Sequence, residues 1–116
     1  MSDFKNVYQH FISLEMAAEV RSDYPSLEPV EKRILSLLTT YWFNKKPITV
    51  VGAIHMTPEI SSSTMFRYLK QLRQKGYVES IVDELDNRIK YVSPTKQANR
   101  YFAKLGKLMS QASVCD

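Results

Sequence analysis

The sequence contains very few cysteine and histidine residues, which excludes several classes of protein. Its 116 residues include one cysteine, Cys115, and two histidines, His10 and His55. A single cysteine cannot form an intramolecular disulfide, which excludes a disulfide-stapled secreted scaffold. We interpret Cys115 as an inert tail thiol; an intermolecular or redox role stays open. A zinc site needs more cysteine and histidine ligands, at closer spacing, than this chain has. We therefore expect no metal and no cofactor. We place His55 at or near the surface.

Long apolar runs and catalytic motifs are also missing from the sequence. No run approaches the roughly 20 apolar residues that cross a bilayer, and residues 1–4 carry neither a basic segment nor an apolar core of a secretion signal. The chain has no glycine-rich phosphate loop, no nucleophile beside a base and no paired carboxylates. We therefore expect a cytoplasmic protein of one domain that neither binds membranes nor acts as an enzyme.

Acidic residues are scarce in the middle of the chain, although the net charge is only +4. Residues 1–31 carry six acids against two cations. Residues 32–78 carry a single acid, Glu59, against eight cations: Lys32, Arg33, Lys45, Lys46, Arg67, Lys70, Arg73 and Lys75. A cationic block of this kind suits a polyanion, and the acidic N-terminal segment therefore needs a separate role.

Residues 60–77 are the most informative stretch and predict one amphipathic helix from about 62 to 75. Met65, Leu69 and Leu72 recur at helical spacing and form the stripe that packs on a core. Ser61 is placed to cap the first turn, and Gly76 follows the last turn, where a left-handed residue lets the chain leave the helix.

The opposite face of this helix carries hydroxyls in its first turn and cations in its later turns. Its members are Ser62, Ser63, Phe66, Arg67, Lys70 and Arg73. Hydroxyls and free amides at a helix N-terminus approach phosphates and base edges, Arg can grip guanine through two hydrogen bonds, and Lys neutralises phosphate. The face is therefore typical of a helix that reads the DNA major groove, but an ordinary solvated surface helix shows the same residue types.

Two further helices and a short connector are predicted before this helix. The first helix spans about 3–21, and its aromatic residues exceed what one small core needs. Ser26 is placed to cap a second helix that begins near Pro29 and ends at Asn44. Ile48 is expected in a very short strand, and Thr49 is expected to cap a helix over 50–56.

The residues of the third helix and its turn predict a helix-turn-helix. Gly52 predicts close packing because glycine otherwise weakens a helix. Residues 57–59 form the turn, and Ile60 is its buried anchor.

A β-hairpin is predicted after Gly76. Two β-branched runs flank the segment D-E-L-D-N, which predicts a connecting loop of about five residues. Arg88 is then the candidate for the minor groove, whose negative potential favours Arg, and Lys90 follows it. Pairing of Arg88 with Asp83, Glu84 or Asp86 is an equally open interpretation. A last helix, capped by Ser93 or Thr95, is expected over 95–110.

Residues 27–104 resemble the MarR family of bacterial transcription regulators. The resemblance is carried by S-S-S-T-M-F-R-Y-L-K-Q-L-R-Q-K-G-Y-V, by L-D-N-R-I-K-Y-V and by S-P-T-K-Q-A. It implies that the helix with Ser62, Ser63 and Arg67 enters the major groove, that Arg88 works in the wing, and that the terminal helices dimerise. It also permits a small-molecule effector, which the residues do not identify.

We therefore predict a mainly α protein with a small β-hairpin, a winged helix-turn-helix with N- and C-terminal dimerisation helices. Residues 27–92 are the expected DNA-binding core, and residues 1–25 and 93–116 the dimerisation helices. The predicted function is sequence-specific binding of double-stranded DNA as a homodimeric transcriptional regulator; a winged-helix module that binds proteins is the alternative. The predicted DNA-binding residues are Ser61, Ser62, Ser63, Phe66, Arg67, Lys70, Arg73, Arg88, Lys90, Lys45 and Lys46.

Overall fold

The computed structural model describes residues 2–114, and the prediction for Cys115 lies outside them. Five helices and one hairpin follow in the order α1 (Ser2–Val20), α2 (Pro29–Phe43), α3 (Val50–Ile54), α4 (Ser62–Gln74), β1 (Val78–Val82), β2 (Lys90–Pro94) and α5 (Lys96–Ser113). The predicted mainly α class with a small hairpin is confirmed. Within residues 2–114, no helix is long and apolar enough to cross a membrane.

The chain divides into two compact units. One unit takes residues 1–26 and 99–116, and the other takes residues 27–98. The second unit contains the core of the helix-turn-helix, whose largest fully buried apolar side chains are Ile34, Leu38, Met65, Leu72 and Tyr77. The predicted packing stripe of α4 is confirmed, because Met65, Leu69 and Leu72 are all buried.

The start of α2 differs from the prediction. The N-cap is Glu28, so the assignment of this role to Ser26 was wrong. Glu28 and Glu31 form a capping box, in which the Glu28 backbone amide donates to Glu31 Oε1 at 2.7 Å. Carboxylates satisfy the free amides of the first turn as well as a hydroxyl does. Their negative charge also interacts favourably with the positive end of the helix dipole.

The helix α3 begins where it was predicted but ends two residues early, at Ile54. Thr49 caps it, since its hydroxyl accepts from the Gly52 amide at 2.9 Å. The expectation that Gly52 marks close packing between helices was wrong: Gly52 is exposed, and a Cβ there would meet the hydroxyl of Thr49 itself at 3.0 Å. Ile60, expected to be buried, is half-buried.

The short strand expected near Ile48 is present as a single bridge beside the hairpin. Thr49 pairs with Tyr91 in antiparallel fashion, and the Val92 amide donates to the Ile48 carbonyl at 2.9 Å. Trp42 of α2 also donates from its indole nitrogen to the Val92 carbonyl at 3.1 Å. These bonds attach β2 to the end of α2 and to the two residues just before α3.

The end of α4 is as predicted. Gly76 has φ +85°, and the Tyr77 and Gly76 amides donate to the carbonyls of Leu72 and Arg73, each at 3.0 Å. This pair of bonds is the Schellman ending, and the buried side chains of Tyr77 and Leu72 are placed for its usual hydrophobic contact. The direction in which the chain enters β1 is therefore set by the last turn of α4.

The hairpin is antiparallel, with Val78 opposite Pro94 and Val82 opposite Lys90. Its connecting loop covers residues 83–89 and is longer than the five residues expected, because Arg88 and Ile89 still belong to it. The Asp83 amide donates to the Ile89 carbonyl at 2.9 Å, and the Ile89 amide donates to the Asp86 carbonyl at 3.0 Å. Those two bonds close the loop.

The start of α5 is bonded to the end of α4, at a place that we call the α4–α5 junction: Lys75, Gly76, Thr95 and Gln97. Thr95 caps α5, as one of the two predicted candidates, by accepting from the Ala98 amide at 3.0 Å. The same hydroxyl donates to the Gly76 carbonyl at 2.5 Å, and the Gln97 side chain donates to the Lys75 carbonyl at 2.9 Å. Two carbonyls left free by α4 are thus satisfied from α5.

Candidate nucleic-acid interface

The N-terminal turn of α4 presents hydroxyl groups to solvent. Ser61 caps the helix: its hydroxyl accepts from the Thr64 amide at 3.3 Å and bonds the Thr64 hydroxyl at 2.9 Å. Ser62 and Ser63 are exposed, and the Ser62 hydroxyl lies 3.4 Å from His55 Nδ1. His55 is itself exposed, as expected. This turn can therefore offer both hydroxyls and the positive end of the helix dipole to an anion.

The later turns of α4 present cations. Arg67, Lys70 and Arg73 are exposed on the side of the helix away from its buried stripe. The guanidinium carbon of Arg67 lies 5.0 Å from the centre of the Tyr68 ring, a cation–π contact that orients the group without neutralising it. The planar fork of Arg67 is thus held at the surface with its hydrogen-bond donors available.

A hollow lies between α4, the start of α3 and the hairpin. Its apolar floor includes Val50, Val78 and Val92, and its rim includes Phe66, Lys70 and Arg73. The hollow has a volume of about 80 Å³ and is open to solvent. Lys70 and Arg73 therefore line the gap between α4 and the hairpin.

The loop of the hairpin is ordered by its acidic residues. Asp83 accepts from the amides of Leu85 and Asp86 at 2.9 and 3.0 Å, and the Tyr91 hydroxyl donates to it at 3.2 Å. The negative charge of Asp83 raises the pKa of Tyr91 above its ordinary value. The same bonds leave Leu85 almost fully exposed at the tip.

Arg88 is paired with one of the three acids considered from the sequence, Asp86. Its Nε and Nη2 atoms each donate to a different Asp86 oxygen at 3.0 Å, and its side chain remains 89% exposed. The hydrogen bonds from Arg88 lower the pKa of Asp86, and those to Asp86 raise the pKa of Arg88, so both groups stay charged. Because water screens an exposed pair of this kind, the pair contributes little to the stability of the fold.

The remaining cations of the predicted set lie outside α4 and the loop. Lys45 and Lys46 are exposed in the turn after α2, where Lys45 has φ +56°. Their amides donate to the Trp42 and Tyr41 carbonyls at 3.0 and 2.9 Å, and these bonds hold the turn in place. Lys90 is exposed at the first position of β2.

The unit of residues 27–98 contains an ion pair, between Glu31 and Lys75, that was not predicted from the sequence. Glu31 is completely buried, and its Oε1 accepts from the Lys75 ammonium at 2.6 Å. Lys75, counted in the cationic block, is therefore engaged within the protein rather than offered to a partner. Glu31 lies three residues after Glu28, so the sequence signals a capping box, but only the fold brings the end of α4 to it.

The comparisons with known proteins identify the fold. No protein-family model matches the sequence, and no curated protein sequence matches it. A mutant of MarR from E. coli in complex with operator DNA aligns with 95% of this chain and 67% of its own, at TM-score 0.54 and 17% identity. The transcriptional regulator Tm0710 from Thermotoga maritima aligns with 90% of this chain and 66% of its own, at TM-score 0.61 and 15% identity.

A third structure, BpsR from Bordetella bronchiseptica, concerns the regulation of DNA binding by 6-hydroxynicotinic acid. It aligns with 95% of this chain and 73% of its own, at TM-score 0.52 and 14% identity. The chain thus spans about two thirds to three quarters of the length of these regulators. At these identities the likeness establishes the winged-helix fold.

Proposed function

We propose that this chain, which has the winged-helix fold of MarR-family regulators, is a sequence-specific regulator of transcription that binds double-stranded DNA as a homodimer. One observation carries the proposal: the exposed face of α4 combines accessible hydroxyls in its first turn with Arg67, Lys70 and Arg73 in its later turns. We assign no catalytic activity to the chain. Of the structures that it resembles, one is described in complex with operator DNA and another by the regulation of its DNA binding.

In this proposal α4 enters the major groove. The side chains that reach base edges are Ser62, Ser63, Phe66 and Arg67, and those that hold phosphates are Lys70 and Arg73 on the rim of the hollow. Lys45, Lys46 and Lys90 contact the backbone at the edges of the interface. The division follows chemistry, because a guanidinium fork can discriminate guanine, whereas an ammonium group neutralises any phosphate.

The hairpin loop acts as the wing, and Arg88 enters the minor groove. Its bond to Asp86 is the observation that favours the alternative, a module that binds proteins and leaves Arg88 satisfied. The pair is exposed and weak, however, so a narrow minor groove can replace Asp86 as the partner of the guanidinium. Asp86 then serves to orient Arg88 until DNA is bound.

The homodimer is proposed from the apolar surface of α1. Phe4, Tyr8, Met16 and Val20 are all exposed large side chains, in two pairs spaced four residues apart. A two-fold axis would bring two copies of α4 to half-sites about 34–36 Å apart. A small-molecule effector fits this class of regulator, and its identity is left to experiment.

Two alanine variants of α4 test the proposal, by mobility shift with a selected duplex and a random duplex at two salt concentrations. Arg67→Ala should weaken binding to the selected duplex by about 1–3 kcal/mol and leave random duplex almost unaffected. Lys70→Ala should weaken both alike. It should also lower the slope of log affinity against log salt by about one unit.

Lys107→Ala is the matched control, because Lys107 is an exposed lysine of α5 outside the proposed interface. It should leave affinity and salt slope as in the parent. If Arg67→Ala and Lys70→Ala behave like Lys107→Ala on every duplex, the cations of α4 do not contact DNA, and a protein partner replaces DNA in the proposal.

A further inference from the structure

Phe66 is an aromatic residue placed among the charged groups of α4. Its side chain is 57% exposed, although Met65 beside it in sequence is fully buried. It follows Ser62 by four residues and precedes Lys70 by four, so the three lie along one side of the helix. Phe66 therefore belongs to the surface that presents the hydroxyls and cations.

The core does not account for this position. Met65, Leu69 and Leu72 already supply the buried stripe of α4, whereas Phe66 lines the solvent-open hollow and stays exposed. More than half of its side chain stays in water, where apolar area is unfavourable. A partner that covers this ring would therefore be stabilised by the contact.

The chemistry of the major groove leaves one partner for such a ring. A phenyl group has no hydrogen-bond donor, so it cannot hold a phosphate, although Lys70 and Arg73 beside it can. Among the base edges of the major groove, thymine alone presents an apolar group, the 5-methyl, and apolar side chains contact it. The surrounding cations bring a polyanion to the ring, which selects duplex DNA over an apolar protein surface.

We propose that Phe66 is a specificity-determining residue that contacts a thymine 5-methyl group in each half-site. The proposal rests on the proposed function and deepens it, because it states which base feature one residue reads. It predicts a preferred site with thymine at a defined position. That preference is independent of the guanine contact proposed for Arg67.

Replacing thymine by deoxyuridine removes this methyl group and keeps the hydrogen-bonding edge of the base. The probe is a short duplex enriched from a random pool by the full chain, in which each thymine is changed singly to deoxyuridine. At one position in a half-site the parent protein should lose about fourfold in affinity, the effect of one buried methyl group. The other positions should stay close to the unmodified duplex.

Two variants connect that loss to Phe66. Phe66→Ala should bind the unmodified duplex more weakly and show no further loss with deoxyuridine, since both changes remove the same contact. Phe66→Leu keeps an apolar side chain and should retain part of the methyl effect. Thermal unfolding of all three proteins checks that the fold is kept.

The outcomes separate the two proposals. If no duplex is enriched above the random pool, sequence-specific binding itself fails. If a duplex is enriched but no deoxyuridine position lowers affinity, or Phe66→Ala keeps the full deoxyuridine loss, only the role of Phe66 is overturned. A loss in the parent that disappears in Phe66→Ala and partly returns in Phe66→Leu supports the contact.

Discussion

Arg88 carries its charge at the wing while bound to Asp86. Each group favours the charged form of the other, so the pKa of Asp86 lies below its ordinary value and the pKa of Arg88 lies above its ordinary value. The contribution of the pair to stability is thus present at neutral pH and is lost only in acid, as pH falls through the lowered pKa of Asp86. In the proposed complex, the minor groove of DNA competes with Asp86 for the same guanidinium.

The first prediction concerns this competition. Asp86→Asn removes the charge that neutralises Arg88 and keeps an oxygen that can accept from the Arg88 amide, so the loop keeps its bond. DNA affinity should rise by about two- to fivefold at low salt, and the gain should shrink as salt increases. Titrations of one duplex at several salt concentrations measure it.

Glu84→Gln is the matched control for Asp86→Asn. It removes the same charge from the same loop, two residues away. A gain for Asp86→Asn well above that of Glu84→Gln would identify the release of Arg88 as its cause. Equal gains for the two variants would mean that only the net charge of the loop matters, and the proposed exchange of partners would be wrong.

At the scale of elements, α4 ends and α5 begins at the same place. The φ of +85° at Gly76 favours glycine there, because other residues rarely adopt this conformation. An added Cβ would also lie 2.8 Å from the side-chain oxygen of Gln97, whose amide nitrogen donates to the Lys75 carbonyl, so this side chain would have to shift. The angle between α4 and β1 therefore depends on a residue without a side chain.

The second prediction compares two glycines by urea unfolding. Gly76→Ala should lower the free energy of unfolding by about 1–2 kcal/mol from backbone strain alone, and more if the Gln97 bond is lost. Gly106→Ala should raise it by about 0.5–1 kcal/mol, because Gly106 lies inside α5 and, among residues 2–114, no atom lies within 4 Å of an added Cβ. If both variants changed the free energy of unfolding in the same direction, the requirement for glycine at position 76 would be wrong.

These elements also show which structural features can be predicted from the sequence. Periodicity and local chemistry predict α4 almost to the residue, because Ser61, Gly76 and the Met65 stripe act within a few positions of one another. The Glu31–Lys75 bond could not be predicted, since it joins groups 44 residues apart. The candidate DNA-binding residues of α4 follow from residue type and helical spacing and stay predictions, whereas the partner of Arg88 among three acids required coordinates.

At the scale of the whole molecule, the cations proposed to bind DNA and the exposed apolar residues of α1 belong to different units. The cations proposed to bind DNA belong to residues 27–98, and the exposed apolar side chains of α1 belong to the other unit. Helices with large exposed apolar residues mark interaction surfaces. We propose that a second copy of the chain covers the exposed apolar residues of α1.

The third prediction tests that assignment by sedimentation. The parent should be a dimer at tens of micromolar concentration. The double variant Phe4→Ser with Tyr8→Ser should shift toward monomer and lose affinity for two-half-site DNA, because each burial of such a ring contributes about 1.5–3 kcal/mol.

Phe43→Ser is the matched control for this double variant. Phe43 is equally exposed, but it lies at the end of α2 in the unit of residues 27–98. It should leave the oligomeric state of the parent unchanged. If the parent protein sediments as a monomer both with and without DNA, the proposed homodimer is wrong.

The α4–α5 junction has a consequence for how the molecule opens. Residues 76 and 95 are bonded directly, so the hairpin between them is a closed loop whose two ends share one set of hydrogen bonds. Fraying of the last turn of α4 would break the start of α5, and the reverse holds as well. The helix α4, the hairpin and the first turn of α5 should therefore unfold and refold as one cooperative unit, not as three independent parts.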